Sequence, residues 1–410
     1  MKKEKRPFWV FPWGYRESFA VVITVAISGF ALSFILQKEV SAPTWPNNII
    51  TGVILVAAIL LFHIFFPKHS FVKWLSGSYA AISSISFYLF LIILMGFIPQ
   101  NSNNSLEILN GSGLSHITSS HIFLFAQIYM FLVLGLVTLR RLERFSTRNI
   151  FFFLNHFGLW LTLFAAGMGS SDIKRFTMEI NKNEPSFQGI NSKGESSGDL
   201  GLALQLEEFS IEHYSPKAFI INAKTGDIMS ENQIFSLEKN AKGNLGEWQI
   251  AVKDFIEYGI GMGEKFHAVY DIGAAPAAYV EAKHSSGNIV EGWISCGSFR
   301  FPGNFLELSE EKLLIMAEPE AKSYLSKIKI YTKEGEVYLA DLSVGRPVSI
   351  NGWKIYQISY DESKGKWSEI SIVELVKDPW LWLVYAGLIM LIAGAVYLII
   401  TGSRTKNSEL

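Results

Sequence analysis

The chain is 410 residues long, 49% hydrophobic and 14% aromatic but only 18% charged, with a formal net charge of -1. Soluble proteins carry about a quarter charged residues, so the deficit points to a membrane, and the near-zero net charge gives no sign of a nucleic-acid surface. The single cysteine, Cys296, excludes an internal disulfide and any paired-thiol redox or metal motif.

The N-terminus carries Lys2, Lys3, Lys5 and Arg6, then the aromatic stretch Phe8-Trp-Val-Phe-Pro-Trp13, with no small-residue cleavage site after it. This pattern predicts a retained signal anchor with an interfacial aromatic belt. Charge-free apolar runs follow at 19–36, 49–66, 77–98, 122–139, 150–168 and 379–401. At 1.5 Å per residue each is long enough to cross roughly 30 Å of hydrocarbon, so about six transmembrane helices are expected. The basic residues at the N-terminus, at 68–73, at 140–148 (Arg140, Arg141, Arg144, Arg148) and in the tail (Arg404, Lys406) fall on one face, whereas 41–48 and 99–120 contain no Lys or Arg. Basic loops face the cytoplasm, so both termini are expected there, in the inner (cytoplasmic) membrane, with the large domain on the outer, periplasmic side. Lys38 departs from the rule, and a lysine at a helix end can snorkel.

Residues 172–377 read as an ordinary extramembrane domain with period-2 alternation, at 202–211, 219–222, 248–252, 278–282, 328–331, 337–339 and 353–359. Turns at 224–226, 286–287, 333–335 and 364–365 separate the runs. The expected fold is therefore membrane α-helical plus a large extracytoplasmic β-rich, sandwich-like domain. Its organisation is 1–76, an N-terminal tail and extra transmembrane hairpin; 77–169, core helices; 170–377, the β-rich domain; and 378–410, a final helix and tail. Gly246-Glu-Trp-Gln-Ile and Gly352-Trp-Lys-Ile are alike enough for an internal duplication to be one reading.

A histidine inside a transmembrane helix costs free energy unless it binds or pairs, which makes His156 the first candidate. It lies two helical turns into the fifth run, with Gly158, Ala165, Ala166 and Gly167 following. Small residues of this kind suit close helix packing or a flat, bulky ligand, and imidazole is a natural axial ligand for haem iron. The plainer reading is a hydrogen bond to a neighbouring helix. His63, near the cytoplasmic end of the second run, reads as interfacial, and His69 as a solvated loop residue. His116 and His121 bracket the outer start of the fourth run and face an outward site or water. His213, His267 and His284 have no ligand spacing, and Cys296 reads as a buried strand residue rather than a reactive thiol. No nucleophile elbow, HExxH, P-loop or paired-acid signature is present.

Four segments resemble the ResB (CcsB) family of system II cytochrome c maturation. Leu94-Met-Gly-Phe-Ile-Pro-Gln100 is similar to the end of the family's first core helix, and Thr138-Leu-Arg-Arg-Leu142 with Asn155-His-Phe-Gly-Leu159 to its second and third. Residues 202–216 resemble an early strand of its outer domain. The most specific tract runs from Val348-Ser-Ile-Asn-Gly-Trp-Lys-Ile-Tyr through Asp378-Pro-Trp-Leu381 to Val384-Tyr-Ala-Gly-Leu.

The resemblance covers about 77–401 and leaves the first two runs without a role. It implies a subunit, not an enzyme by itself, that works with a CcsA-type membrane partner in a haem-lyase complex. The complex carries non-covalent haem b to the outer face and presents it for attachment to apocytochrome c, with thiol-disulfide reductases as further partners. It also implies His156 as the axial ligand of the haem site nearest the cytoplasm. His63, His116 and His121 are secondary candidates on the reading of the residues alone. The competing reading is a membrane-anchored β-domain that binds a partner or peptide without handling haem.

Overall fold

The structure is a computed structural model that describes residues 7–100, 107–143, 145–197, 200–229 and 234–407. Lys2, Lys3, Lys5, Arg6 and Arg144, counted above as basic signals, lie outside these residues. The chain forms two compact units, Met1–Ile173 with Asp378–Leu410, and Lys174–Lys377.

The first unit is a helical bundle: α1 (Tyr15–Leu36), α2 (Asn47–Phe65), α3 (Ser70–Leu75), α4 (Ser78–Phe97), α5 (Glu107–Ser112), α6 (His121–Leu142), α7 (Thr147–Gly169) and α8 (Leu381–Asn407). Six of them, α1, α2, α4, α6, α7 and α8, are long and apolar enough to cross a membrane. Their starts follow local chemistry. Ser120 Oγ accepts from Phe123 N at 3.2 Å and Ser146 Oγ from Asn149 N at 3.3 Å, satisfying first-turn donors of α6 and α7. The Glu17 carboxylate accepts from Gly14 N at 2.8 Å at the start of α1.

Half of the apolar stretch of α6 is buried, against 11–28% for the other five, so α6 is the centre of the bundle. The others turn large apolar side chains outward: Ile27, Val53, Phe90 and Ile389 are all exposed. Such a continuous apolar exterior is what lipid requires and water penalises.

The basic connection at 68–73 meets the end of α6, where Arg140 donates to the Lys73 carbonyl at 3.0 Å and to Ser76 Oγ at 2.7 Å. Residues 68–73 are not simply a loop: α3 occupies much of this connection, and His69 caps it, its Nδ1 accepting from Phe71 N at 3.3 Å. The stretch 99–120 likewise contains α5 and a short 3-10 segment, Leu114–Ser119.

The second unit contains four antiparallel sheets, whose strands include every alternating run read from the sequence. They form two sandwiches, each with its own apolar core, one inserted into the other. The outer sandwich pairs a six-stranded sheet built around Lys174–Asn181, Trp353–Tyr360 and Ile370–Lys377 with a three-stranded sheet of Leu202–His213, Ala321–Thr332 and Val337–Ser343. Leu204, Ile330, Ile355 and Leu375 fill the space between. The inner sandwich, 217–316, packs a five-stranded sheet around Trp248–Met262 and Ala275–His284 on a four-stranded one, over Ile250, Val280, Ile294 and Leu314.

The two similar tracts serve one purpose in each. Trp248 and Trp353 both begin a strand just after a two-residue hairpin turn, paired with Leu245 and Ile350 respectively, and each is buried in its own core. The turns need left-handed backbone: φ is +59° at Gly246, and +47° and +80° at Asn351 and Gly352. The likeness stops there, because the strand orders of the two sandwiches differ.

Candidate functional site

His156 lies nine residues beyond the start of α7, about 14 Å along it and so near mid-span. Its Nδ1 is 3.0 Å from the Phe152 carbonyl one turn back, and its ring stacks on Phe152 with centroids 3.7 Å apart. A carbonyl can only accept, so Nδ1 carries the proton, and in the neutral ring Nε2 is then the nitrogen with the lone pair.

The neighbours of α7 divide its surface. Phe153, Phe157, Trp160 and Phe164 form a stacked row toward α6, where Trp160 Nε1 donates to the Phe131 carbonyl at 3.1 Å. On another face Phe151 stacks on Tyr397 of α8 at 3.7 Å and Asn155 donates to the Leu391 carbonyl at 3.1 Å. His156 is on neither row and is half-buried, on a flank it shares by helical periodicity with Phe152, Leu159 and Leu163.

The small residues do not form a slot for a flat ligand. A Cβ on Gly158 would stand 2.5 Å from Leu391 N and 2.7 Å from the Gly387 carbonyl, so this position exists to let α7 and α8 touch backbone to backbone. Ala165 is fully buried, and Gly167 abuts the Gln127 side chain. Any planar ligand of His156 would therefore lie against the Phe152–Leu163 flank.

Arg141, read from the sequence only as an orienting charge, borders the same flank. Its guanidinium lies over the Phe152 ring at 5.2 Å, and its Nε donates to Asn149 Oδ1 at 3.0 Å.

The other histidines are distributed to both ends. His63 Nε2 is 3.5 Å from a carboxylate oxygen of Glu143 at the end where α2 and α6 finish. At the opposite end, His116 Nδ1 is 3.8 Å from Glu39 Oε1. The expectation of water around His121 fails: it is buried, its Nδ1 3.3 Å from Ser33 Oγ, which also accepts from the His121 backbone N–H at 3.2 Å. It closes the α1–α6 crossing. These three are not brought to His156, and among the described residues no three of His, Cys, Asp and Glu converge as metal ligands.

Asp172, which the sequence merges into the β-rich stretch, belongs to the helical unit. Its carboxylate accepts from Trp45 N at 2.9 Å, Asn48 Nδ2 at 2.7 Å and Trp380 Nε1 at 2.9 Å, tying the starts of α2 and α8 to the end of α7. The available signal was the aspartate just beyond a charge-free run.

Cys296 is not a strand residue. It follows the strand Ile289–Ser295, is half-buried, and burial pushes its thiol up to about 11, too high for a reactive thiolate.

Comparison with known proteins finds no protein-family model and no curated protein that matches the chain.

Proposed function

We propose that the chain is the membrane subunit of a system II cytochrome c maturation complex, acting with a CcsA-type partner to carry haem b to the outer face and present it to apocytochrome c. The observation that carries this reading is the state of His156: half-buried at mid-span, its Nδ1–H fixed on a backbone carbonyl, its Nε2 left as an acceptor. Metal-ligating histidines are oriented in this way, by a hydrogen bond from the other ring nitrogen.

The residues fit half of a haem site. His156 would supply one axial ligand, the apolar flank of Phe152, Leu159 and Leu163 one wall, and Arg141 a cation for the acidic edge of the porphyrin. Haem, when bound, supplies a redox-active iron and the vinyl groups that become thioether links. The chain's own residues orient and shelter it. In this reading the second ligand and the lyase chemistry belong to the partner.

On this reading, which the one-sided basic loops support, both termini are cytoplasmic and the 174–377 unit lies on the periplasmic side of the inner membrane. The test is reconstitution in a host without its own maturation system. Chain, CcsA-type partner and an apocytochrome reporter together should give a haem-stained reporter, and omission of the chain should abolish it. Equal maturation without the chain would refute the proposal.

A further inference from the structure

The two sandwiches of the 174–377 unit are joined by only two connections, which run side by side. Tyr214 N donates to the Glu320 carbonyl at 2.9 Å and Lys217 Nζ pairs with the Glu320 carboxylate at 2.7 Å. Next to this double strap a cleft of about 870 Å³ opens between the sandwiches, with His213, Tyr360 and Lys366 from the outer one and Phe255, Tyr258 and Cys296 from the inner one. That volume falls in the range of small-molecule sites, which gather at the boundary between two lobes.

The cleft is lined by exposed charges of both signs, Glu212, Glu238, Glu257, Glu318 and Glu362 with Lys239 and Lys322, whereas Lys364, Lys366 and His213 are half-buried. The Lys366 ammonium lies on the Tyr258 ring, 3.2 Å from its centroid, with Trp367 at 5.3 Å. None of the ion pairs among the described residues involves Lys366. A cation stripped of much of its water and held by aromatic faces gains from a carboxylate more than a solvated lysine would. Burial lowers the pKa of Lys366 to about 8, with Glu257 and Cys296 acting in the opposite direction.

We infer that this cleft binds a small organic carboxylate with a planar apolar body, its anion on Lys366 and its body between Phe255, Tyr258 and Tyr360. This site is independent of the haem reading and stands or falls apart from it.

Full-length protein in lipid nanodiscs is titrated at pH 7, where Lys366 is charged, with 2-naphthoate and with its neutral isostere 2-naphthamide, binding being read from the anisotropy of the naphthyl fluorescence above that with empty nanodiscs. Naphthoate should bind several-fold more tightly than naphthamide. Lys366→Met should remove the difference between them, and Lys366→Arg should keep it. Equal binding of the two compounds, binding of neither, or unchanged discrimination in Lys366→Met would each overturn the inference.

Discussion

Single residues decide the polar chemistry of both units, and their effects can be isolated. Lys366 is charged in the unfolded chain up to its ordinary 10.5, but in the folded state only up to about 8. A folded state that gives up its proton first gains stability as pH rises between these values. Cys296 acts with the opposite sign, but only above its ordinary value of 9.0, so pH 8 to 9 is the window in which Lys366 acts without it. Stability should rise there by less than about 1 kcal/mol, since water partly screens the half-exposed ammonium, and Lys366→Met should flatten the rise; denaturant midpoints across this window measure it. Asp172→Ala leaves Trp380 Nε1 and Trp45 N without this acceptor and Asn48 Nδ2 with only the Met168 carbonyl, and should cost roughly 2–4 kcal/mol by thermal unfolding in nanodiscs. The importance of Asp172 was not legible in the sequence, because its partners are remote along the chain: Trp45 and Asn48 precede it by more than a hundred residues and Trp380 follows by more than two hundred.

At the scale of elements, the α7–α8 contact is the most exacting. Gly158 meets the α8 backbone directly, so Gly158→Val must part the helices and should cost roughly 3 kcal/mol or more. Gly96 in α4 has open space around its Cβ position, so Gly96→Ala should change stability by less than about 0.5 kcal/mol. A Gly158→Val variant as stable as the wild type would contradict the backbone contact. The glycine was visible in the sequence, but two uses were open to it, and only the position of Leu391 decides for packing. Helix existence was legible, because a charge-free run of about twenty residues has few other solutions. The short helices α3 and α5 were not, since six residues give too little periodicity to detect. His121 was misread because its partner, Ser33, is on another helix.

For the molecule as a whole, the sequence carried the class of each half and missed the nesting. Alternation marks strands such as Trp248–Met262 and Trp353–Tyr360 equally well. It does not say that the second belongs with Lys174–Asn181, far upstream, while 217–316 forms a sandwich of its own. The repeated turn-Trp tract reflects two cores that each need a large aromatic at a hairpin exit. Orientation rests on charge alone. A reporter fused after the tail should be active only in the cytoplasm, and protease added to the outer face should cut within 174–377; the reverse pattern would overturn the assigned sidedness.

The most direct test of the central claim is an optical spectrum of the chain co-purified with the proposed CcsA-type partner, compared between wild type and His156→Gly, without and with added imidazole. Haem bound in the wild type, lost in the variant and restored by imidazole is the predicted result. A haem spectrum indifferent to the substitution would contradict the ligand assignment, and a complex that never carries haem would leave the anchored β-domain as the better reading.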